Sequence, residues 1–492
     1  MNELRQHFAK IADLNHAAAL LEWDQETYMP EGAAESRALQ LSTLRSFAHE
    51  LLTSDRTASL LDSAAPESDM DRDFIRVARR DLEKATCLPS SLVAELAATT
   101  GRAKGAWQRA RAANRFADFQ PHLEKIVDLC LQQAEAYGYV DTPYDALLDL
   151  YEPDMRTATV TRTFTDLRAR LVPLVQQIAA APQLDDAPVR GHFPEAAQWA
   201  FGLEVAQAFG YDLTRGRQDR SAHPFSTSFS INDSRITTRL ETDFFNPAFF
   251  GTLHETGHAL YEMGVDQDLE RTPLAEGTSL GMHESQSRMW ENQIGRSLPF
   301  WNHYMPRAQA HFPDGLAGVT AEQMYQAANR VEPSLIRVEA DEVTYNLHIM
   351  LRFELEQDLI SGRLNVADLP AAWNDRMEAW LGLRPSNDAE GVLQDIHWSL
   401  GAIGYFPTYA LGNLMSAQLF DAMAKDLPNR DDLVASGQFA PILAWLREHV
   451  HQWGRRKTAT QILEDVCGTG LDAEPFVQYV SAKYGALYGL TS

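Results

Sequence analysis

The 492-residue chain is 45% hydrophobic and carries 43 basic against 68 acidic residues, a formal net charge of −25. That balance disfavours nucleic acid and anionic membranes as partners, while the apolar fraction is ample for a large core. Cys87, Cys130 and Cys467 are odd in number and far apart, which excludes a disulfide scaffold, so they read as buried thiols.

Met1-Asn2-Glu3-Leu4-Arg5 is polar and leads into a mixed-charge helical pattern. It has no apolar signal core, and no later run approaches membrane-spanning length; the cytoplasm is the expected location. The first two hundred residues predict helices almost throughout. Apolar spacing runs from Asn2 to about Leu21, breaks at Met29-Pro30-Glu31-Gly32, and resumes from Ala34 to about Leu52. Further helical patterns cover residues 70–85, 90–113, 117–138, 157–181 and 194–209. No internal repeat and no low-complexity linker marks a domain boundary.

The pattern changes at His223-Pro224-Phe225-Ser226-Thr227-Ser228-Phe229-Ser230-Ile231, where aromatic and hydroxyl residues alternate. With Arg235-Ile236-Thr237-Thr238-Arg239-Leu240 it predicts a small β-sheet. An edge strand of such a sheet can pair with an extended peptide; the alternative is a purely structural hairpin.

A helix is predicted next, with Asn246 as N-cap, Pro247 in the first turn and Gly264 at the far end. It carries His254-Glu255-Thr256-Gly257-His258. His254 and His258, four apart, share a face and can hold one metal ion, and Glu255 flanks the open side. This is the zinc-protease spacing, with Glu as general base for a metal-bound water; a chance match is the competing reading.

A further helix is expected from Ser279 to Gly295, and Glu284 on it lies 26 positions after His258 (284 − 258). That leaves room for the chain to turn back, and two His with one Glu keep a coordination position open for water. Glu284 leads as third ligand; Glu262, Glu276 and Glu291 are the competing carboxylates. Such a set accepts Zn2+ and also Co2+ or Mn2+.

A long helix is predicted from Pro333 to about Ser361, placing Arg337 and Asp341 on one face. An ordinary ion pair is one reading; the other has Asp341 orient Arg337 toward an anionic substrate group. The Gly- and aromatic-rich segment from Gly391 to Asn413 reads as a loop that walls a site. Gln394, Asp395, His397, Trp398, Tyr405 and Tyr409 concentrate polar tips there, and a Tyr hydroxyl or an imidazole suits a developing oxyanion. Each taken singly also reads as a hydrogen-bonded core aromatic.

Five stretches in order resemble the carboxypeptidase Taq family of zinc metallocarboxypeptidases. They are Asp233-Ser234-Arg235-Ile236-Thr237, His254 to His258, His283-Glu284-Ser285-Gln286, Ile336-Arg337-Val338-Glu339-Ala340-Asp341, and Gly391-Val392-Leu393-Gln394-Asp395-Ile396-His397-Trp398. Weaker likenesses at Trp23-Asp24, Met29-Pro30, Tyr144-Asp145 and Tyr151-Glu152-Pro153 extend it along the chain. The resemblance implies a mainly α, saddle-like body with a deep cleft, similar to neurolysin and angiotensin-converting enzyme, with a small β-sheet near the metal helix. It implies one metallocarboxypeptidase domain over 1–492, in which 1–210 form much of one cleft wall and 211–492 carry the metal and catalytic groups. Homodimers are usual in the family.

By position, His254, His258 and Glu284 look like zinc ligands and Glu255 the base. Arg337 looks like the group that holds the substrate's terminal carboxylate, with Asp341 and Gln394 beside it. His397 and either Tyr409 or Tyr405, Tyr409 slightly favoured, look like the groups that steady the scissile carbonyl. The expected substrates are peptides with a free C-terminus, trimmed one residue at a time with broad specificity. Asp233, Arg235 and Thr237 receive no assigned role.

Overall fold

The computed structural model describes residues 1–490. It is mainly helical with one small sheet. The first helices are α1 (Asn2–Thr27), α2 (Ala34–Leu52), α3 (Asp55–Asp62), α4 (Asp69–Thr86) and α5 (Ser90–Ala112). They are followed by α6 (Gln120–Tyr137), α7 (Pro143–Leu148), α8 (Thr157–Ala180) and α9 (Glu195–Phe209). Most lie within a few residues of the periodic patterns. The short α3 and α7 escaped them because six or eight residues are too few to establish a period. Both are instead declared by their caps: Ser54 accepts from Thr57 N–H, and Thr142 forms a capping box with Asp145.

Strands β1 (Gln218–Arg220), β2 (Ser226–Ser230) and β3 (Asp233–Thr238) follow. The order is β1-β3-β2, with β1 parallel and β2 antiparallel to the central β3. Strand β1, only three residues long, carries no alternation to predict it. The rest of the chain forms α10 (Asn246–Met263), α11 (Leu280–Arg288), a π-helical continuation at Met289–Gly295, α12 (Leu298–His311) and α13 (Ala321–Ala328). It ends with α14 (Tyr345–Ile360), α15 (Leu369–Leu381), α16 (Pro407–Asp426), α17 (Arg430–Ala435), α18 (Ala440–His449), α19 (Ala459–Cys467) and α20 (Glu474–Tyr488).

Three expectations need correction here. The helix expected from Pro333 begins only at Tyr345, and Arg337 lies in a single 3-10 turn, Arg337–Glu339. The reason is Asp341, whose carboxylate accepts from the backbone N–H groups of Glu332, Val343 and Thr344 and from the Thr344 hydroxyl. A carboxylate that satisfies the backbone locally offers the chain an alternative to helix. Downstream, the site-wall segment is helical again from Pro407, so Tyr409 stands in the first turn of α16. Of the cysteines only Cys130 is buried; Cys87 is exposed, and all three are free thiols.

The chain divides into two compact units, each assembled from three segments. One contains residues 1–86, 185–328 and 419–468. Its centre is an aromatic cluster against α10: Phe201 stacks on Phe249 at 4.9 Å, Phe249 packs on Trp301, and Phe209 packs on Trp290. All five rings are buried. The sheet is tied to α1, because the Arg235 guanidinium lies over Trp23 at 4.5 Å and over Phe229 at 4.9 Å. Asp233 grips the same guanidinium with both carboxylate oxygens. Thr237 Oγ1 accepts from Phe225 N–H at 2.9 Å, holding the loop that leads into β2.

The other unit contains residues 87–184, 329–418 and 469–492. Its axis is α14, which is buried on nearly every side, as expected of a central helix. Asn346, His348, Arg352 and Glu356 on α14 are fully buried. Among the described residues no helix is long and apolar enough to cross a membrane.

Candidate metal centre and anion-binding cluster

Helix α10 starts where predicted, but Asn246 is its first residue and Phe245 its N-cap, so no side chain caps it. Gly264 ends it with φ −90°, without a left-handed cap. Its glycine is required for another reason: a Cβ there would sit 2.4 Å from His451 Nδ1. Gly257, inside the histidine motif, has the same kind of cause. A Cβ at Gly257 would lie 2.6 Å from the Gln286 carbonyl oxygen and from Ser287 Cα, so its absence lets α11 cross against α10. That crossing brings Glu284 to the two histidines.

The ligand-type atoms of His254, His258 and Glu284 all lie within 4.8 Å of one another. Glu284 Oε2 is 3.7 Å from His254 Nε2 and 3.5 Å from His258 Nε2. Donors at ~2.0–2.1 Å from a common tetrahedral ion are separated by about 3.4 Å, close to the two Glu284–His distances, so the set fits a divalent cation. For His254 burial works downward, but Glu284 and Glu291 outweigh it and raise the ring; His258 and Glu284 are set the way a ligand needs. Burial, helped by the neighbouring imidazoles His283 and His254, drives His258 down to about 3, leaving a neutral ring with a lone pair to donate. Burial opposes ionisation of Glu284, but Arg288 and the two histidines overcome it and hold the carboxyl well below the usual range. Arg288 Nε donates to Glu284 Oε1 at 2.7 Å, leaving Oε2 toward the histidines.

The competing carboxylates have other partners. Glu291, on the π-helical continuation, pairs with His254 Nδ1 at 3.0 Å and accepts from Arg288 and Arg296. Burial raises its carboxyl, but Arg288, His254 and Arg296 outweigh it and bring it to about 2. Glu262 accepts from His283 Nε2 at 2.6 Å. Glu276 is lifted by burial and offers no atom to the histidine pair. Glu255 is buried, and desolvation lifts its carboxyl to about 7 despite the opposing pull of His254, before any cation charge is added. A carboxyl near neutrality is suited to taking and returning a proton.

A second polar cluster forms in the other unit. Arg337 Nε and one terminal nitrogen donate to Asp395 Oδ1 at 3.0 and 2.8 Å, and its other terminal nitrogen donates to the Tyr345 hydroxyl at 2.9 Å. Arg352 Nε donates to Asp395 Oδ2 at 2.7 Å, and Arg352 is fully buried. Burial resists the Asp395 charge, but the two guanidiniums hold its carboxyl far below the carboxylate range. Two guanidiniums share one carboxylate, so the cluster carries a surplus positive charge in a low-dielectric setting.

Asp341 does not orient Arg337; Asp395 does, because Asp341 is engaged by the backbone described above. Gln394 uses its amide on the chain, accepting from Arg337 N–H at 2.9 Å and donating to the Leu335 and Glu390 carbonyls. It holds the arginine's backbone. His397 Nε2 lies 3.2 Å from the Tyr409 hydroxyl, and the Tyr405 ring packs on the same imidazole at 5.2 Å. Burial, with Arg337 and Arg352 adding to it, lowers His397 to about 4, so the ring is neutral.

Sequence reasoning missed Arg352, Glu356 and Tyr345. Their signal was present as a polar stripe, Tyr345, His348, Arg352, Glu356, at spacings of three and four along one helix. Glu356 receives hydrogen bonds from Tyr144, Trp398 and Gly404 N–H. It fixes the segment that carries His397.

With this geometry in place, comparison with known proteins is informative. Residues 3–484 match the carboxypeptidase Taq (M32) metallopeptidase family. The chain is 42% identical to a thermostable carboxypeptidase 1 of Pyrococcus furiosus, over 98% of both chains. It is 38% identical to a carboxypeptidase 1 of Bacillus subtilis, over 97% of both. The crystal structure of an M32 carboxypeptidase from Deinococcus radiodurans R1 superposes with a TM-score of 0.98 at 43% identity, covering 99% of each chain. The chain belongs to the carboxypeptidase Taq (M32) family of metallopeptidases, and its activity is that of a metal-dependent carboxypeptidase.

Proposed function

We propose that the protein is a zinc-dependent carboxypeptidase that releases single residues from the free C-terminus of peptides, with Glu255 as general base. The observation that carries the C-terminal preference is the sharing of Asp395 by Arg337 and Arg352. A buried cluster with one uncompensated positive charge gains most from an anion, and the planar fork of Arg337 matches a carboxylate.

His254, His258 and Glu284 are the proposed ligands. A divalent ion held by them supplies Lewis acidity and brings a water ligand's pKa toward ~7. Glu255 accepts the proton of the attacking water and passes it to the departing amine. Neutral His397 and Tyr409 offer donors to the oxygen that gains charge, Tyr409 ahead of Tyr405 because its hydroxyl lies within reach of the imidazole. Asp395, Gln394 and Tyr345 hold Arg337 in position. Broad tolerance for the released residue is part of the proposal.

The family's usual homodimer and a cytoplasmic location complete the proposal, with light scattering as the check on assembly. The deciding experiment is a product time course on a peptide with a free C-terminus. Single amino acids appearing in C-terminal order are the expected result; internal fragments or dipeptides would sink the assignment. Zn2+ stoichiometry measured alongside, against Co2+ and Mn2+ loading, tests the metal.

A further inference from the structure

The two histidines of the metal centre are backed unequally. His254 Nδ1 meets a carboxylate directly, Glu291 at 3.0 Å. His258 Nδ1 meets a second imidazole, His283 Nδ1, at 2.7 Å, and His283 Nε2 in turn meets Glu262 Oε1 at 2.6 Å. We propose that His283 is a positioning residue which relays the Glu262 carboxylate to His258 and thereby sets the affinity of the centre for its ion. The proposal rests on the reading of His254, His258 and Glu284 as ligands.

Proton counting requires a single direction along this chain. If His258 donates its Nε2 lone pair to a cation, its one ring proton is on Nδ1. That proton can be donated only to an unprotonated His283 Nδ1, so the His283 proton lies on Nε2 and is donated to Glu262 Oε1. Reversing either bond would place a proton on His258 Nε2 and close the ligand position. The chain therefore selects the one His258 tautomer that can bind metal, and an acceptor behind a ligating imidazole also raises its basicity.

The surroundings of His283 are built to hold it. Gly277 is needed because a Cβ there would be 2.6 Å from His283 Cδ2 and 2.9 Å from Tyr261 Cε1. The Tyr261 ring packs on the His283 ring at 5.0 Å, and its hydroxyl accepts from Thr278 N–H at 3.1 Å. Gly277 N–H donates to Glu262 Oε1 at 3.2 Å, so the same turn that encloses the imidazole also fixes its carboxylate.

The test is Zn2+ affinity of the full-length protein in chelator-buffered titrations, for the parent, His283→Phe, Glu262→Gln and the double variant. His283→Phe is expected to weaken binding by about 10- to 100-fold and Glu262→Gln by about 10-fold. Because Glu262 acts through His283, adding Glu262→Gln to His283→Phe should change affinity by less than about twofold. His283→Gln, whose amide can accept from His258 and donate to Glu262, should stay within about threefold of the parent and covers the case in which the Phe variant fails to fold. Affinity of His283→Phe within twofold of the parent, additive losses in the double variant, or a His283→Gln loss as large as that of His283→Phe would overturn the relay. A parent that takes up less than one equivalent of Zn2+, or a His254→Ala variant that binds as tightly as the parent, would instead overturn the ligand reading beneath it.

Discussion

The metal centre and the arginine cluster solve opposite electrostatic problems. Around His254 and His258, the carboxylates Glu284 and Glu291 are arranged to welcome a cation, and Arg288 and Arg296 keep those carboxylates ionised. Around Asp395, one carboxylate serves two guanidiniums and a surplus positive charge remains, whereas two carboxylates meet two guanidiniums beside the histidines. In both places a counter-charge orients the working group, and at Asp395 it does so without neutralising the cluster. A buried ion pair closed on itself contributes little net stability, so an unbalanced one is better explained by what it binds.

Variants separate the two regions. The largest effect is expected at Glu255→Gln, which removes the proposed base but none of the proposed ligands. Turnover should fall by about 10²–10⁴-fold with Zn2+ content unchanged, measured by kcat and metal analysis. Near-parental kcat would remove Glu255 from the chemistry. Next comes Arg337→Ala, which acts only through the anion cluster. A loss of about 2–5 kcal/mol in kcat/KM is expected on free-acid peptides, with little change on the same peptides amidated at the C-terminus. Equal losses on both substrates would show that Arg337 does not read the carboxylate.

A smaller effect should follow from Gly257→Ala. The added methyl meets the α11 backbone, so the crossing that delivers Glu284 must open, at a cost of about 1–3 kcal/mol read from thermal melting. An unchanged melting temperature would mean that the two helices tolerate separation.

The smallest effect is the pH dependence contributed by Asp395. Its folded-state carboxyl is depressed by Arg352 and Arg337 against the opposing influence of burial, so its stabilisation is fully present above the unfolded value of about 3.9 and is lost as pH falls below it. Acid melting curves of Asp395→Asn should show a shallower decline from about pH 5 to pH 3 than those of the parent. Parallel curves would mean that the carboxylate is not held by its arginines.

The two regions also differ in how far they can be read from the chain. His254 and His258 are four residues apart, and a helix converts that spacing into proximity with no further information. Placing Glu284 beside them needed one more fact, the turn between two helices, and the close crossing at Gly257 supplies it. Arg337 was identified by its motif, but its setting was misjudged, because helical periodicity was extended across residues 337–341 where Asp341 satisfies the backbone and stops it. Asp395, the true partner, lies 58 positions away (395 − 337), and no local spacing rule connects the two.

Periodicity and capping residues determined that this chain is mainly helical and that two histidines share a helix face. These follow from interactions within one or two helical turns, where geometry is fixed by the backbone alone. The approach of Glu284 to the two histidines, the pairing of Arg337 with Asp395 and Arg352, and the His283 link behind His258 were decided by tertiary structure. Each joins groups from separate elements, and which of them meet depends on close approaches such as those at Gly257 and Gly277 that only packing selects.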